Sequence, residues 1–190
     1  MARLFVAIEI PPALADALLA RVPRAAGVRP AAAHQIHLTL HFLGEQDEMA
    51  AVRVEQALGA VSCASFPLAV QEAGYFRGRR ASVLWAGVAS SPALDDLHAS
   101  VERAVAASGS EPEENTAMRH SPPRFQPHIT LARCTPAVPD AVLQSWRVSQ
   151  TGLACAPWLV ERFILYQSHL HPSGAQHLCR RAYALGASGR

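Results

Sequence analysis

His37-Leu38-Thr39-Leu40 recurs 91 residues later as His128-Ile129-Thr130-Leu131, and these two stretches decide how the chain is read. Successive side chains of an extended strand point to opposite faces. Each copy therefore sets an imidazole and a hydroxyl side by side on one face and two apolar groups on the other. An acid and a base, each with a hydrogen-bond donor beside it, are what metal-free attack on a phosphodiester needs. With nine His, five Thr and twenty Leu in 190 residues, a shuffled chain contains the full pattern about 0.01 times, so two copies by chance come to roughly one in ten thousand.

The segments around the two motifs alternate between strands and helices. Residues 3–10 read as a first strand, and Pro11-Pro12 opens a helix to about Arg21. A strand at 36–42 is expected to end at Gly44, with Asp47 capping a helix to Leu58. Strands at 66–73 and 82–88 flank a turn at 74–80, and Ser91-Pro92 begins a helix to Ala107. The polar, Pro-rich stretch 109–123 reads as a mobile loop. A strand at 128–133, a short helix at 140–146 and strands at 159–167 and 178–185 complete the chain, with His171-Pro-Ser-Gly174 as the last turn. The spacing of the motifs, close to half the chain, suggests two related α+β halves whose His-Thr pairs share one cleft.

Composition excludes several classes. Half the residues are hydrophobic and 17% are charged, enough for a substantial core in one domain over 1–190 made of two lobes. A net charge of +2 argues against a broad surface for duplex nucleic acid and permits a small cationic pocket. No apolar run approaches the roughly 20 residues of a membrane span. The start lacks a cleavage-like site and Glu9 interrupts its apolar stretch, so the expected location is the cytoplasm. Cys63, Cys134, Cys155 and Cys179 have no C-x-x-C spacing and read as reduced, mostly buried thiols. Nothing demands a partner surface, so a monomer is expected.

At the motif residues the chain resembles the two-histidine (2H) phosphoesterases, and among them the bacterial RNA 2′,3′-cyclic phosphodiesterases, also called 2′-5′ RNA ligase-like proteins. The stretches that carry the resemblance are Arg3-Leu-Phe-Val-Ala-Ile-Glu-Ile-Pro11, His37-Leu-Thr-Leu-His-Phe-Leu-Gly-Glu45, Val83-Leu-Trp-Ala-Gly-Val88, Phe125-Gln-Pro-His-Ile-Thr-Leu-Ala-Arg133 and Leu165-Tyr-Gln-Ser-His-Leu-His-Pro-Ser-Gly174. Two positions depart from the family pattern. Pro30-Ala-Ala-Ala-His stands where members often carry an aromatic residue, and His177 where a Tyr usually follows the closing Gly.

The resemblance implies a bilobal α+β fold, antiparallel sheets flanking a central cleft with helices outside, and no metal or other cofactor. It implies hydrolysis of terminal RNA 2′,3′-cyclic phosphate to a 2′-phosphate, on RNA ends or oligonucleotides, with 2′-5′ joining in the reverse direction for some members. It also implies that Arg133 contacts phosphate, bidentately if geometry allows, and that Phe42 stacks on the terminal base. Simple alternation puts both residues on the face opposite the histidines.

The chemistry assigns roles to the other site residues. Imidazoles hold either protonation state near neutral pH, so His128 is taken as the base that activates water and His37 as the acid, an order the residues alone leave open. Thr39 and Thr130 are expected to donate to the non-bridging oxygens. His41 shares the His37 face by alternation, and Arg77, Arg79 and Arg80 read first as a solvated turn, with guidance of RNA toward the cleft as the alternative. Trp85 and Trp146 read as core, and His169-x-His171 lacks a third metal ligand. The alternatives are 2′-5′ ligation as the main role and a non-catalytic module that binds RNA ends.

Overall fold

The computed structural model describes residues 1–110, 125–171 and 174–186. In chain order the elements are β1 (Ala2–Glu9), α1 (Pro12–Leu19), β2 (Val28–Pro30), β3 (His37–Gln46), α2 (Glu48–Leu58), β4 (Phe66–Leu68), β5 (Val70–Phe76), β6 (Ser82–Val88), α3 (Pro92–Ala107), β7 (His128–Cys134), α4 (Asp140–Ser149), β8 (Trp158–Val160), β9 (Arg162–His171) and β10 (Gly174–Ala184). A single 3-10 turn, Ala33–Gln35, precedes β3.

Both motif strands turn their apolar residues to the same side. Leu38, Leu40, Ile129 and Leu131 are buried in one core with Leu18, Leu58, Leu94, Leu97, Val101 and Leu143 from the helices. Leu94, Leu97, Val101 and Val105 recur at the three- and four-residue spacing that gives α3 one apolar stripe. The predicted caps are in place: Asp47 Oδ1 accepts from Ala50 N at 2.7 Å and Ser91 Oγ from Leu94 N at 3.2 Å. With the helices filling one face of the sheet, the alternate residues His37, Thr39, His128 and Thr130 face the other.

The main sheet runs β10-β9-β1-β3-β7-β6-β5, with β2 added on β7; all of these neighbours pair antiparallel. β3 and β7 meet at one residue pair, Leu38 and Ile129, so the sheet has two halves joined at a narrow seam. One half joins β1 and β3 to the C-terminal β9 and β10, and the other joins β2, β5 and β6 to β7, so neither is one continuous half of the sequence. β1 is buried along almost its whole length, and β9 from the C-terminal region covers the edge that β3 leaves open. β2, from the N-terminal region, pairs with β7.

Bulges and a second, two-stranded sheet account for several departures from the expected elements. The β1–β3 ladder skips Leu40 and Leu43, and the β6–β7 ladder skips Leu131. An extra residue in one strand shifts the following side chains to the other face. Gly44 does not end β3; it adopts φ +70° beside the second bulge, a left-handed conformation that suits glycine, and the strand runs on to Gln46. The strand expected at 66–73 breaks at Ala69 and that at 159–167 breaks at Glu161, because β4 and β8 leave the main sheet and pair with each other. β2, only three residues ending in Pro30, gave no alternating signal. The expected loop at 109–123 falls outside the described residues apart from its first two positions, and so do the middle residues of the turn at 171–174.

Gly74 supports the β5–β6 side of the site. A Cβ there would lie 2.5 Å from the Trp85 indole, and its carbonyl accepts from Trp146 Nε1 at 3.0 Å. Gly74→Ala must displace a buried indole, so it is expected to destabilise the protein by about 1–3 kcal/mol. Urea denaturation measures this, and an unchanged midpoint would show that Trp85 gives way freely.

Candidate active site

The two motif histidines are held in the same way. His37 Nδ1 donates to the Gln35 carbonyl at 2.7 Å and His128 Nδ1 to the Gln126 carbonyl at 2.8 Å. A carbonyl only accepts, so Nδ1 carries the proton in each ring and Nε2 is left for chemistry. The repeat is thus longer than the tetrapeptide: Gln35-Ile-His-Leu-Thr-Leu and Gln126-Pro-His-Ile-Thr-Leu share a Gln two residues before the His. The carbonyl bond itself needs no glutamine, since any residue supplies a backbone carbonyl there. Gln35 does more, since its side-chain Nε2 donates to the Ala175 carbonyl and ties the turn before β3 to β10.

Aromatic rings buttress both imidazoles. Phe5 lies 4.8 Å from the His37 ring and Tyr166 6.3 Å, while Phe76 meets His128 edge-on at 5.0 Å with Trp85 at 6.5 Å. Burial pushes the His37 pKa down to about 4; its bond to the Gln35 carbonyl opposes this, and charge on His177 or His128 adds to it. His37 is therefore a neutral imidazole at pH 7 in the free protein.

A cleft of about 680 Å³ holds the motif side chains together with Phe5, Phe42, Gln35 and His177. Arg3, Arg29, Arg80 and Arg133 also line it, and no Asp or Glu is among its described lining residues. A small cationic basin is a site for an anion, in a chain whose net charge is only +2.

The structure brings His37, Thr39, His128, Thr130, Arg133 and Phe42 into this one cleft. Arg133 and Phe42 reach the histidine face because the bulges at Leu131 and Leu40 reverse the alternation that placed them opposite. Phe42 is 63% exposed and its ring is 6.1 Å from Phe5. The same Leu40 bulge turns His41 the other way, against expectation. Its electrostatic neighbours are Glu102 and His98 of α3, burial lowers its pKa first of all, and it is absent from the cleft lining. Of the three turn arginines, Arg80 lines the cleft and Arg77 pairs with Asp140. Trp85 and Trp146 are buried, although Trp85 also touches the His128 environment. Cys63, Cys134, Cys155 and Cys179 are free, but Cys179 is exposed and two are only half-buried, so the expectation of mostly buried thiols is corrected. Among the described residues no three His, Cys, Asp or Glu side chains gather as metal ligands, and no helix is long and apolar enough to cross a membrane.

Comparison with known proteins agrees with this geometry. The pattern defining the 2′-5′ RNA ligase superfamily matches residues 10–172. The chain belongs to the 2′-5′ RNA ligase superfamily. An RNA 2′,3′-cyclic phosphodiesterase of Thermus thermophilus is 32% identical, with 99% of this chain and 93% of the relative covered. Among solved structures, the TT0787 protein of Thermus thermophilus superposes with a TM-score of 0.75 at 28% identity over 98% of this chain and all of that one. LigT of Escherichia coli complexed with 3′-AMP gives 0.72 at 26% identity over 97% of each chain. The superfamily fold accordingly extends over nearly the whole chain, both halves of the sheet included.

Proposed function

We propose that this cleft hydrolyses terminal RNA 2′,3′-cyclic phosphates to 2′-phosphates by proton transfer between two histidines, the whole chain working as one two-lobed domain. The observation that carries the reading is the pair of imidazoles, each fixed by a glutamine carbonyl with Nε2 free, in a cleft rich in arginine and lacking carboxylates among its described residues. A relative bearing the name RNA 2′,3′-cyclic phosphodiesterase supports the reaction, and the 3′-AMP complex of LigT supports a nucleotide in the cleft.

The neutral state of His37 supports the opposite order of roles from the one expected from sequence. In this reading His37 Nε2 takes the proton of the attacking water, and His128, protonated, gives its proton to the departing ribose 3′-oxygen. The P–O3′ bond breaks as the new P–O bond forms. Thr39 and Thr130 donate to the non-bridging oxygens as their charge grows, contacts of a kind worth about 2.7–4 kcal/mol each. Arg133 balances the phosphate charge, and Phe42 at the rim stacks on the terminal base, for about 1–3 kcal/mol.

The test is incubation of the purified protein with an oligonucleotide ending in a 2′,3′-cyclic phosphate, in the presence of EDTA. A 2′-phosphate product is expected; its complete absence rejects the reading. The superfamily description also favours joining, and by microscopic reversibility the same residues would serve it. Adding an RNA with a free 5′-hydroxyl to the same reaction measures that rate against hydrolysis.

A further inference from the structure

We propose that His177 is a third imidazole of the reaction site, donating a hydrogen bond from Nε2 to a non-bridging oxygen of the phosphate on the His37 side. This deepens the function proposed above and rests on it. His177 lines the same cleft, and its ring stands perpendicular to His37 with centroids 5.4 Å apart. It is also edge-on to Phe5 at 4.9 Å, so the two histidines share one aromatic support.

The donor role follows from the surroundings of Nδ1. His177 Nδ1 is buried and has no partner among the described residues. A buried N–H without a partner is the costlier of the two possibilities, so the proton resides on Nε2. Burial first, and the charge of His34 second, lower the His177 pKa and favour a neutral ring with one donor. His37 in contrast is held with Nδ1 protonated and Nε2 accepting. Side by side, one ring accepts a proton from water while the other donates to the oxygen that gains charge.

The placement is built rather than incidental. The carbonyl of Gln35 orients His37, and its side-chain amide binds the Ala175 carbonyl, two residues before His177 on β10. One residue therefore sets the spacing of both rings. A donor aimed where charge develops contributes more in the transition state than in the ground state.

Three variants and one ligand test this. His177→Phe keeps the ring packing and removes the donor, and it is expected to lower kcat/KM for the cyclic-phosphate oligonucleotide about 10- to 100-fold, mostly in kcat. His177→Gln supplies an amide donor and is expected to recover much of the loss, whereas His177→Ala is not. Inorganic phosphate should shift the His177 imidazole resonances in the unmodified protein and bind more weakly to His177→Phe. Activity of His177→Phe equal to the unmodified protein overturns the proposal, and so does equal impairment of the Phe and Gln variants, which marks packing alone. If the unmodified protein is itself inactive, the functional reading fails, and the phosphate titration alone judges His177: binding indifferent to His177→Phe rejects it.

Discussion

The His128→Ala protein is expected to lose about 10²–10⁴-fold in turnover of a cyclic-phosphate oligonucleotide and to regain most of it when sulfur replaces the 3′-oxygen. A thiolate leaves without being protonated, since its conjugate acid has a pKa near 8.5 rather than that of an alcohol. The acid is then dispensable and the base is not. His37→Ala is expected to show a loss of similar size on the oxygen substrate and no rescue on the sulfur one. Rescue of His37→Ala in place of His128→Ala would restore the order read from sequence, with His128 as base. The double variant should fall little below the weaker single one, because two groups acting in one step are not additive. Folding must be unchanged in each, which the half-buried positions of both rings allow.

Acid should act late on this reaction. With His37 held near 4 by burial against an ordinary 6.5, kcat/KM is expected to persist down to about pH 4–5 and then fall about tenfold per pH unit as the base is protonated. In kcat the same limb should lie at higher pH, because an anionic phosphate beside His37 favours the imidazolium. A limb in kcat/KM near 6.5 would show that the ring is hydrated and that its enclosure by Phe5, Tyr166 and His177 does not shift it. The enclosure also has a cost for stability. Between about 4 and 6.5 the unfolded chain binds a proton at His37 that the folded one rejects, so stability falls as pH drops through that window. His37→Gln removes this proton uptake, and its melting temperature is expected to decline less between pH 7 and pH 5.

Much of this was legible because the informative patterns are local. The alternation in the two motifs is sufficient to put His37, Thr39, His128 and Thr130 on one face, and Asp47 and Ser91 mark helix starts by short-range bonds alone. The bulges were not legible. Leu40, Leu43 and Leu131 are skipped according to what the neighbouring strand offers, and that pairing is remote in sequence. Hence Arg133 and Phe42 lie on the face that simple alternation denied them, and His41 leaves the face it was assigned. His177 stood out only as a departure from the family pattern, and its place beside His37 was hidden for a similar reason, since it gets there through the β1–β9–β10 pairing. The order of acid and base proposed above was hidden as well, because it rests on the burial of one ring by residues 5, 166 and 177.

The interleaving of strands carries a consequence for biosynthesis. On the ribosome β1 emerges first, yet its outer edge stays bare until β9, more than 150 residues later, has been translated. Contacts this distant in sequence close slowly, and an apolar strand without a neighbour invites association between nascent chains. The outer edge of β1 in the nascent polypeptide therefore stays open to chaperones until the β9–β10 hairpin has left the exit tunnel.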